Sequence, residues 1–391
     1  MIKHLLNILW TRKKKNTLMI IEITFSFVIL FLLFSLLYKK LENYSHPTGF
    51  STENIMIMTL DTNSETEEEE DQIYEAITQS LLSNEEIVDV TEMDYSHSYF
   101  GSRNTTRYTF ENGITFWPTE QRLRPHAVKF MNFNFVKGRG FTAADKESSK
   151  ETIIVNQQLY DKLSPYLDAD DSFGSEERGY QIVGVIDYYN FESDLADQED
   201  IVLRNADNLD WLKDSHQSKL FIRTKNDPRK IEAQTVSRIE KLSNKLRVKV
   251  LYFDNLQDEK NNYAMLPLFL ISFVALFLVC NIALGLYGVL WYNISKRKSE
   301  IGIRRAMGAS TQDIFKQIFS EVFLLFIIGT SLGSIIAIQF PLLGAFNFTN
   351  SIYLIGALLS LVFVLLITII CGYYPSKLAM KITPNEALNE L

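Results

Sequence analysis

Cysteine is almost absent: the 391 residues hold two, Cys280 and Cys371, both inside long apolar runs. Residues 39–262 have none, which excludes a disulfide scaffold there. The two present read as small core residues rather than as a disulfide or metal pair. Histidine is scarce, and His97, His126 and His216 stand isolated, as surface or locally satisfied polar groups. No H-E-x-x-H and no G-x-S-x-G occurs, so neither the zinc-hydrolase nor the serine-elbow pattern is available. A phosphate-binding loop is missing too, down to the lack of any Gly-Lys pair. If ATP drives this protein, another chain binds it. No enzyme activity, cofactor, resident metal or catalytic residue is expected of this one.

Charge is present but unevenly placed. From Lys39 to Lys260 there are 26 Lys and Arg against 41 Asp and Glu, a net −15, while the rest carries +7 within a total of −8. Halves of opposite sign face different surroundings. The acidic half shows no basic stripe, which argues against nucleic acid as a partner. The remaining half carries four apolar runs, at 18–38, 265–292, 318–340 and 352–374. A bilayer core of about 30 Å needs about 20 such residues in a helix, so each run is long enough to span. The second is longest and must tilt or project beyond the membrane. The first is too long for the apolar part of a signal peptide and is followed by Lys39 and Lys40, so an uncleaved anchor is expected.

Basic residues cluster before the first run (Lys3, Arg12, Lys13, Lys14, Lys15), between the second and third (Lys296, Arg297, Lys298, Arg304, Arg305, Lys316) and after the fourth (Lys377, Lys381). By the positive-inside bias those segments are cytoplasmic and the large acidic segment is exported. Lys39 and Lys40 oppose this and are outnumbered. Glu22 and Glu321 lie about one turn inside their runs. Each reads either as part of an ion path or as a carboxylate reaching the headgroups or a basic neighbour. Gly329 and Gly333 form a small-xxx-small pair for close helix packing.

The exported segment reads as mixed α and β. Strands are expected at 54–60, 87–93, 153–155, 179–188, 219–223 and 247–252. The acidic run 65–71 reads as a solvated loop opening a helix, with Ile73, Ile77, Leu81 and Leu82 at helical spacing behind it. Asp227-Pro228 has the chemistry of a helix start. Alternating strands and helices predict a layered α+β fold. Asp168, Asp170, Asp171 and Glu176 read as a solvated acidic loop or a calcium site without EF-hand spacing.

The segment 295–310, SKRKSEIGIRRAMGAS, is compact and amphipathic. Ile301, Ile303 and Met307 can face an apolar surface, and Glu300, Arg304 and Arg305 can make charged contacts. Gly308 stops the helix, and Ser310 with Asp313 forms a capping box for the next. On physics alone it is either a force-transmitting helix for a cytoplasmic partner or a basic anchor on anionic lipid. Glu300, Ile301, Gly302, Arg304, Ala306, Gly308 and Ala309 match the Glu-Ile-Gly-x-Arg-x-Ala-x-Gly-Ala signature of a known family. Tyr374, Pro375, Ala379, Pro384, Glu386, Ala387 and Leu388 match its C-terminal pattern, with Ser376 where Ala is usual. Gly138–Phe141 and Ile182–Val185 match weaker motifs of the exported domain, and Ile2, Leu5, Leu6, Leu9 and Trp10 suit its interfacial N-terminal helix. On these residues the chain resembles the FtsX-like and MacB-like ABC transporter permeases.

The resemblance implies a membrane protein with four transmembrane helices and a MacB-like α+β domain between the first two. The implied plan is a cytoplasmic amphipathic segment (1–17), helix 1 (18–38), the periplasmic domain (39–262), helix 2 with a stalk (263–292), a cytoplasmic coupling segment (293–317), helix 3 (318–340), a short outer loop (341–351), helix 4 (352–374) and a cytoplasmic tail (375–391). It further implies a bacterial cytoplasmic membrane location, a separate ABC-type ATPase docked on Glu300–Ala309, a second permease subunit, homodimeric or paralogous, and a possible periplasmic partner. Implied functions are export or extraction of a hydrophobic antibiotic, peptide or lipoprotein, or mechanical regulation of a periplasmic enzyme. A membrane-anchored receptor without an ATPase is the remaining alternative.

Overall fold

In the computed structural model the described residues are 13–62, 67–93, 99, 103–110, 113–175, 178–208, 219–242, 246–296 and 298–380. The expected N-terminal amphipathic stretch, His97, His216, Glu176, and the tail residues Lys381, Pro384, Glu386, Ala387 and Leu388 lie outside them. The chain divides into a unit of residues 1–42 and 266–391 and a unit of residues 43–265.

The first unit is built from helices α1 (Lys13–Ser45), the C-terminal part of α6 (Phe253–Lys296), α7 (Lys298–Ala306), α8 (Thr311–Ala337), the single turn α9 (Gln339–Leu342) and α10 (Asn350–Met380). Four of these helices are long and apolar enough to cross a membrane. Helix α1 buries Met19, Ile23, Phe27, Leu30 and Phe31, a single helical face. It meets α8 at glycine: a β-carbon on Gly329 would stand 2.6 Å from Ile23 Cγ2, and one on Gly333 would stand 2.7 Å from the Phe27 ring. The Thr24 hydroxyl donates to the Gly329 carbonyl at 3.1 Å. On the other flank of α1, Gly356 of α10 leaves room for Ser35. Helix α6 packs differently. Its deeply buried apolar residues in this unit include Leu268, Ala275 and Ile282, seven apart, while Phe269, Phe273 and Phe277 are exposed. That spacing gives a narrow seam rather than a broad face.

The second unit holds two larger sheets. The first, antiparallel, runs β13 (Leu246–Tyr252), β1 (Ile55–Thr62), β12 (Lys219–Thr224), β2 (Ile87–Met93). Met56, Met58, Leu220 and Ile222 pack under helices α2 (Glu67–Leu82) and α5 (Glu232–Glu240), and Ile57 and Phe221 point the opposite way. The second sheet runs β3 (Asn104–Thr105), β6 (Thr119–Leu123), β11 (Ile201–Asn205), β8 (Glu151–Asn156), β10 (Arg178–Ile186), β7 (Phe135–Gly138), with β9 (Ser172–Ser175) on β10. Strand β8 shows why both its faces read as apolar: Ile154 joins the core shared with the first sheet, and Ile153 and Val155 pack with α4 (Gln157–Leu163). Helix α3 (Pro125–Met131) fills the shared core with Ala127, Val128, Phe130 and Met131. Short strands β4 (Tyr108–Thr109) and β5 (Thr115–Phe116) form a separate hairpin. The α+β layering and the four apolar helices agree with the sequence reading.

The acidic run opens a helix as expected: α2 begins at Glu67. Two local features depart from the sequence reading. Strands β6 and β11 and helix α3 were not anticipated. Asp227 caps a 3-10 turn, Pro228–Lys230, and α5 follows it.

Candidate docking helix

The turn at the end of α7 is closed by local chemistry. Gly308 sits at φ +99°, where a side chain would be strained. The Ala309 N–H donates to the Arg304 carbonyl at 3.0 Å and the Gly308 N–H to the Arg305 carbonyl at 3.1 Å. This pair of bonds is the usual closure of a helix at glycine. Ser310 and Asp313 then cap α8 reciprocally: the Asp313 N–H donates to Ser310 Oγ at 3.2 Å, and the Ser310 N–H to Asp313 Oδ2 at 3.1 Å. The sequence Gly308-Ala309-Ser310 therefore ends one helix and starts the next with no free residue between them.

Helix α7 is fastened on one side. Ile301 and Gly302 are buried, and Ile301 shares a core with Ile294, Ile314 and Ile318. Arg304 donates to Gln317 of α8 at 2.7 Å, and Arg305 donates to the Met380 carbonyl at the end of α10 at 2.9 Å. The opposite side is open. Ile303 is 49% exposed and Met307 76%, one turn apart, beside a Glu300–Arg304 ion pair of 2.7 Å. Of the three residues expected to face an apolar surface, Ile301 is buried within this chain and Ile303 and Met307 are exposed. At about 100° per residue, positions 301 and 303 point to opposite sides, so Ile301 anchors the helix while Ile303 and Met307 are presented outward. Ala309 packs at the edge of the Ile301 core.

Tyr287 and Trp291 stack, as do Tyr287 and Tyr374, and Lys296 lies over the Tyr292 ring. Such rings with adjacent cations suit a membrane–water boundary. Helix α10 continues through Tyr374 and Pro375 to Met380, with the Ser376 hydroxyl donating to the Gly372 carbonyl at 2.7 Å. The remaining candidates fall elsewhere. Glu22 lies against α6, where a β-carbon on Gly285 would come within 2.6 Å of its carboxylate. Glu321 is half-buried on α8. Lys137 and Tyr160 donate to Asp171, and Ser172 and Lys150 donate to Asp170. No metal-binding group of three or more His, Cys, Asp or Glu side chains occurs among the described residues. His126 bonds to Asp89 at 3.0 Å.

The two weaker motifs of the globular unit are neighbours. Strand β7 pairs with β10 so that Gly138 faces Gly184. A β-carbon on Gly138 would meet the Val183 carbonyl at 2.2 Å, and one on Gly184 the Arg139 carbonyl at 2.3 Å. Their composition was visible in the sequence; their juxtaposition was not.

Residues 269–384 match the FtsX-like permease C-terminal family, a span containing α7 and its turn. A macrolide export ATP-binding/permease protein MacB of Bdellovibrio bacteriovorus is 28% identical over 204 residues, which cover 51% of this chain and 29% of that protein. A pyoverdine export ATP-binding/permease protein PvdT of Pseudomonas syringae is 24% identical over 277 residues, covering 67% of this chain and 41% of that protein. The chain thus spans less than half the length of these curated relatives, and the ATPase part lies outside the match. The periplasmic region of MacB from Actinobacillus actinomycetemcomitans is similar at 11% identity and a TM-score of 0.37, over 56% of this chain and 98% of that one. The chain thus carries a match to the FtsX-like permease C-terminal family at residues 269–384, and over half to two thirds of its length it is similar to the permease portions of ABC-type export proteins.

Proposed function

We propose that this chain is the membrane subunit through which a separate cytoplasmic ABC-type ATPase drives movements of an exported domain, in export or extraction of a hydrophobic molecule. The observation that carries the reading is the two-sided helix α7. Ile301, Arg304 and Arg305 fix it to the helices, and Ile303 and Met307 remain exposed next to a charged pair. An apolar stripe edged by charge, on a helix that cannot turn away, is suited to seat in a groove of another protein. In the proposed arrangement the basic ends lie in the cytoplasm of a bacterial cell, within the cytoplasmic membrane, and residues 39–262 lie outside it. The exposed phenylalanines of α6 face lipid or a second permease subunit. The macrolide and pyoverdine named for the relatives are the cargoes to try first.

The test is purification of the tagged full-length chain from native membranes in mild detergent, beside Glu300→Lys and Met307→Asp variants. A P-loop ATPase that accompanies the wild type and is lost from both variants is expected. No ATPase with the wild type, or equal recovery with all three, overturns the reading.

A further inference from the structure

The connection between β10 and β11, residues 187–200, is unusual for a loop of its length. Loops normally run exposed over the surface, because buried backbone must find partners. Here Tyr189, Asn190, Phe191 and Ser193 are buried, and Asp194 is only 8% exposed. Tyr189 and Phe191 enter the core shared by the two sheets, and the loop is further held by the two chain segments that lead to and from the apolar helices.

On one side stands the end of α1. Asn43, itself buried, donates through Nδ2 to the Leu195 carbonyl at 3.2 Å and to Asp197 Oδ1 at 3.0 Å. His46 stacks on Tyr188 with ring centres 5.1 Å apart. The Asn190 N–H donates to the Thr48 carbonyl at 3.0 Å. Gly49, at φ +88°, lies so close to the Tyr188 carbonyl that a β-carbon would overlap it.

On the other side stands the beginning of α6. Gln257 and Asn261 are one turn apart and so share a face. Gln257 Nε2 donates to both Asp194 oxygens, at 3.0 and 2.8 Å. Asn261 Nδ2 donates to Asp194 Oδ2 at 2.7 Å, while the Asp194 N–H donates to Asn261 Oδ1 at 2.9 Å. The Tyr99 hydroxyl completes the set on Oδ1, and its ring packs edge-on against Phe253, the first residue of α6.

A buried carboxylate is a poor way to gain stability, since apolar packing serves as well without the desolvation cost. What hydrogen bonds add is direction: they fail within a few tenths of an ångström or a few tens of degrees. We propose that the 187–200 loop is a brace that hands displacement of α1 and α6 to strands β10 and β11, with Asp194, Asn43, Gln257 and Asn261 as its positioning residues. This rests on the reading that an ATPase moves those helices. Because β10 and β11 flank β8 in the second sheet, a pull on the loop reaches both neighbours of the central strand at once.

The experiment uses the full-length chain with its co-purified ATPase in nanodiscs, Cys280 and Cys371 replaced by alanine. Spin labels go at Glu259→Cys on α6 and Asp161→Cys on α4, both within the globular unit. Distances are read with and without a non-hydrolysable ATP analogue. The wild type is expected to shift its distance distribution. Asp194→Ala and the pair Gln257→Ala with Asn261→Ala are expected to lose the shift while keeping the bound ATPase and its hydrolysis rate. Leu81→Ala, which opens a cavity in the helix-covered core of the first sheet, should retain the shift and so separates coupling from destabilisation. An undiminished shift in Asp194→Ala overturns the brace. A wild type with ATPase bound but no shift also overturns it, leaving the docking reading intact. A wild type that binds no ATPase overturns both.

Discussion

Arg204 shows how charge can be written into a core. Its side chain is 9% exposed and lies between Glu151, at 2.6 Å, and Glu120, whose side chain is fully buried, at 3.3 Å. Burial works against ionisation of Glu120, but the Thr106 hydroxyl and the guanidinium groups of Arg204 and Arg122 outweigh it and hold the carboxyl below the usual glutamate range. Removing the arginine takes both its ion pairs and leaves buried Glu120 with Arg122 as its remaining cation, so Arg204→Met is expected to destabilise the globular unit by about 3 kcal/mol, measurable by denaturant unfolding. The wild type carries a pH signature as well. The folded Glu120 pKa lies below the unfolded value, so its contribution is complete above the unfolded value and is lost as pH falls through the folded one. Melting temperature followed from neutral to acid should fall across that window, and Glu120→Gln should flatten part of the fall. These residues also explain what the sequence concealed. Strand β6 reads Thr-Glu-Gln-Arg-Leu, a polar string that does not announce a strand, because Arg204, a partner that makes Glu120 buriable, lies 84 residues away in the chain. Strands β2 and β12, whose burial rests on their own apolar residues, were legible.

At the scale of elements, the helices were legible by length and composition, and their contacts only at glycine. Gly329 and Gly333 were recognisable as a close-packing pair, but nothing in the sequence said that Ile23 and Phe27 of α1 would fill the space. Gly333→Leu is expected to force the Phe27 ring aside, with an overpacking cost of about 1–3 kcal/mol. Thermal unfolding of the detergent-solubilised protein should show it, and restoration by Phe27→Ala in the double variant would identify the contact. Helix α7 was legible in its ends, through Gly308, Ser310 and Asp313, and less so in its sides. Its three apolar residues could be seen to suit an apolar surface, but not to divide between two faces. The structure gives two, Ile301 inward and Ile303 with Met307 outward, because a helix only nine residues long (Lys298–Ala306) has too few positions for its pattern to separate a buried face from a presented one.

At the scale of the molecule, the sign split of charge maps onto the two units, and the topology it implies is directly testable. Sealed inside-out vesicles should leave residues 43–265 intact under protease, while spheroplasts should expose them; cleavage of that segment from the cytoplasmic face would reverse the assignment. What the sequence could not show is the 187–200 loop, since its anchors at Asn43 and Asn261 are 152 and 67 residues from their partners. Helix α6 carries two anchors of that loop, Gln257 and Asn261, one turn apart and both donating to Asp194. A single residue inserted between them would turn Asn261 about 100° away from Gln257, so that one carboxylate could no longer receive both. The opening of this helix should therefore tolerate substitution more readily than any change of length.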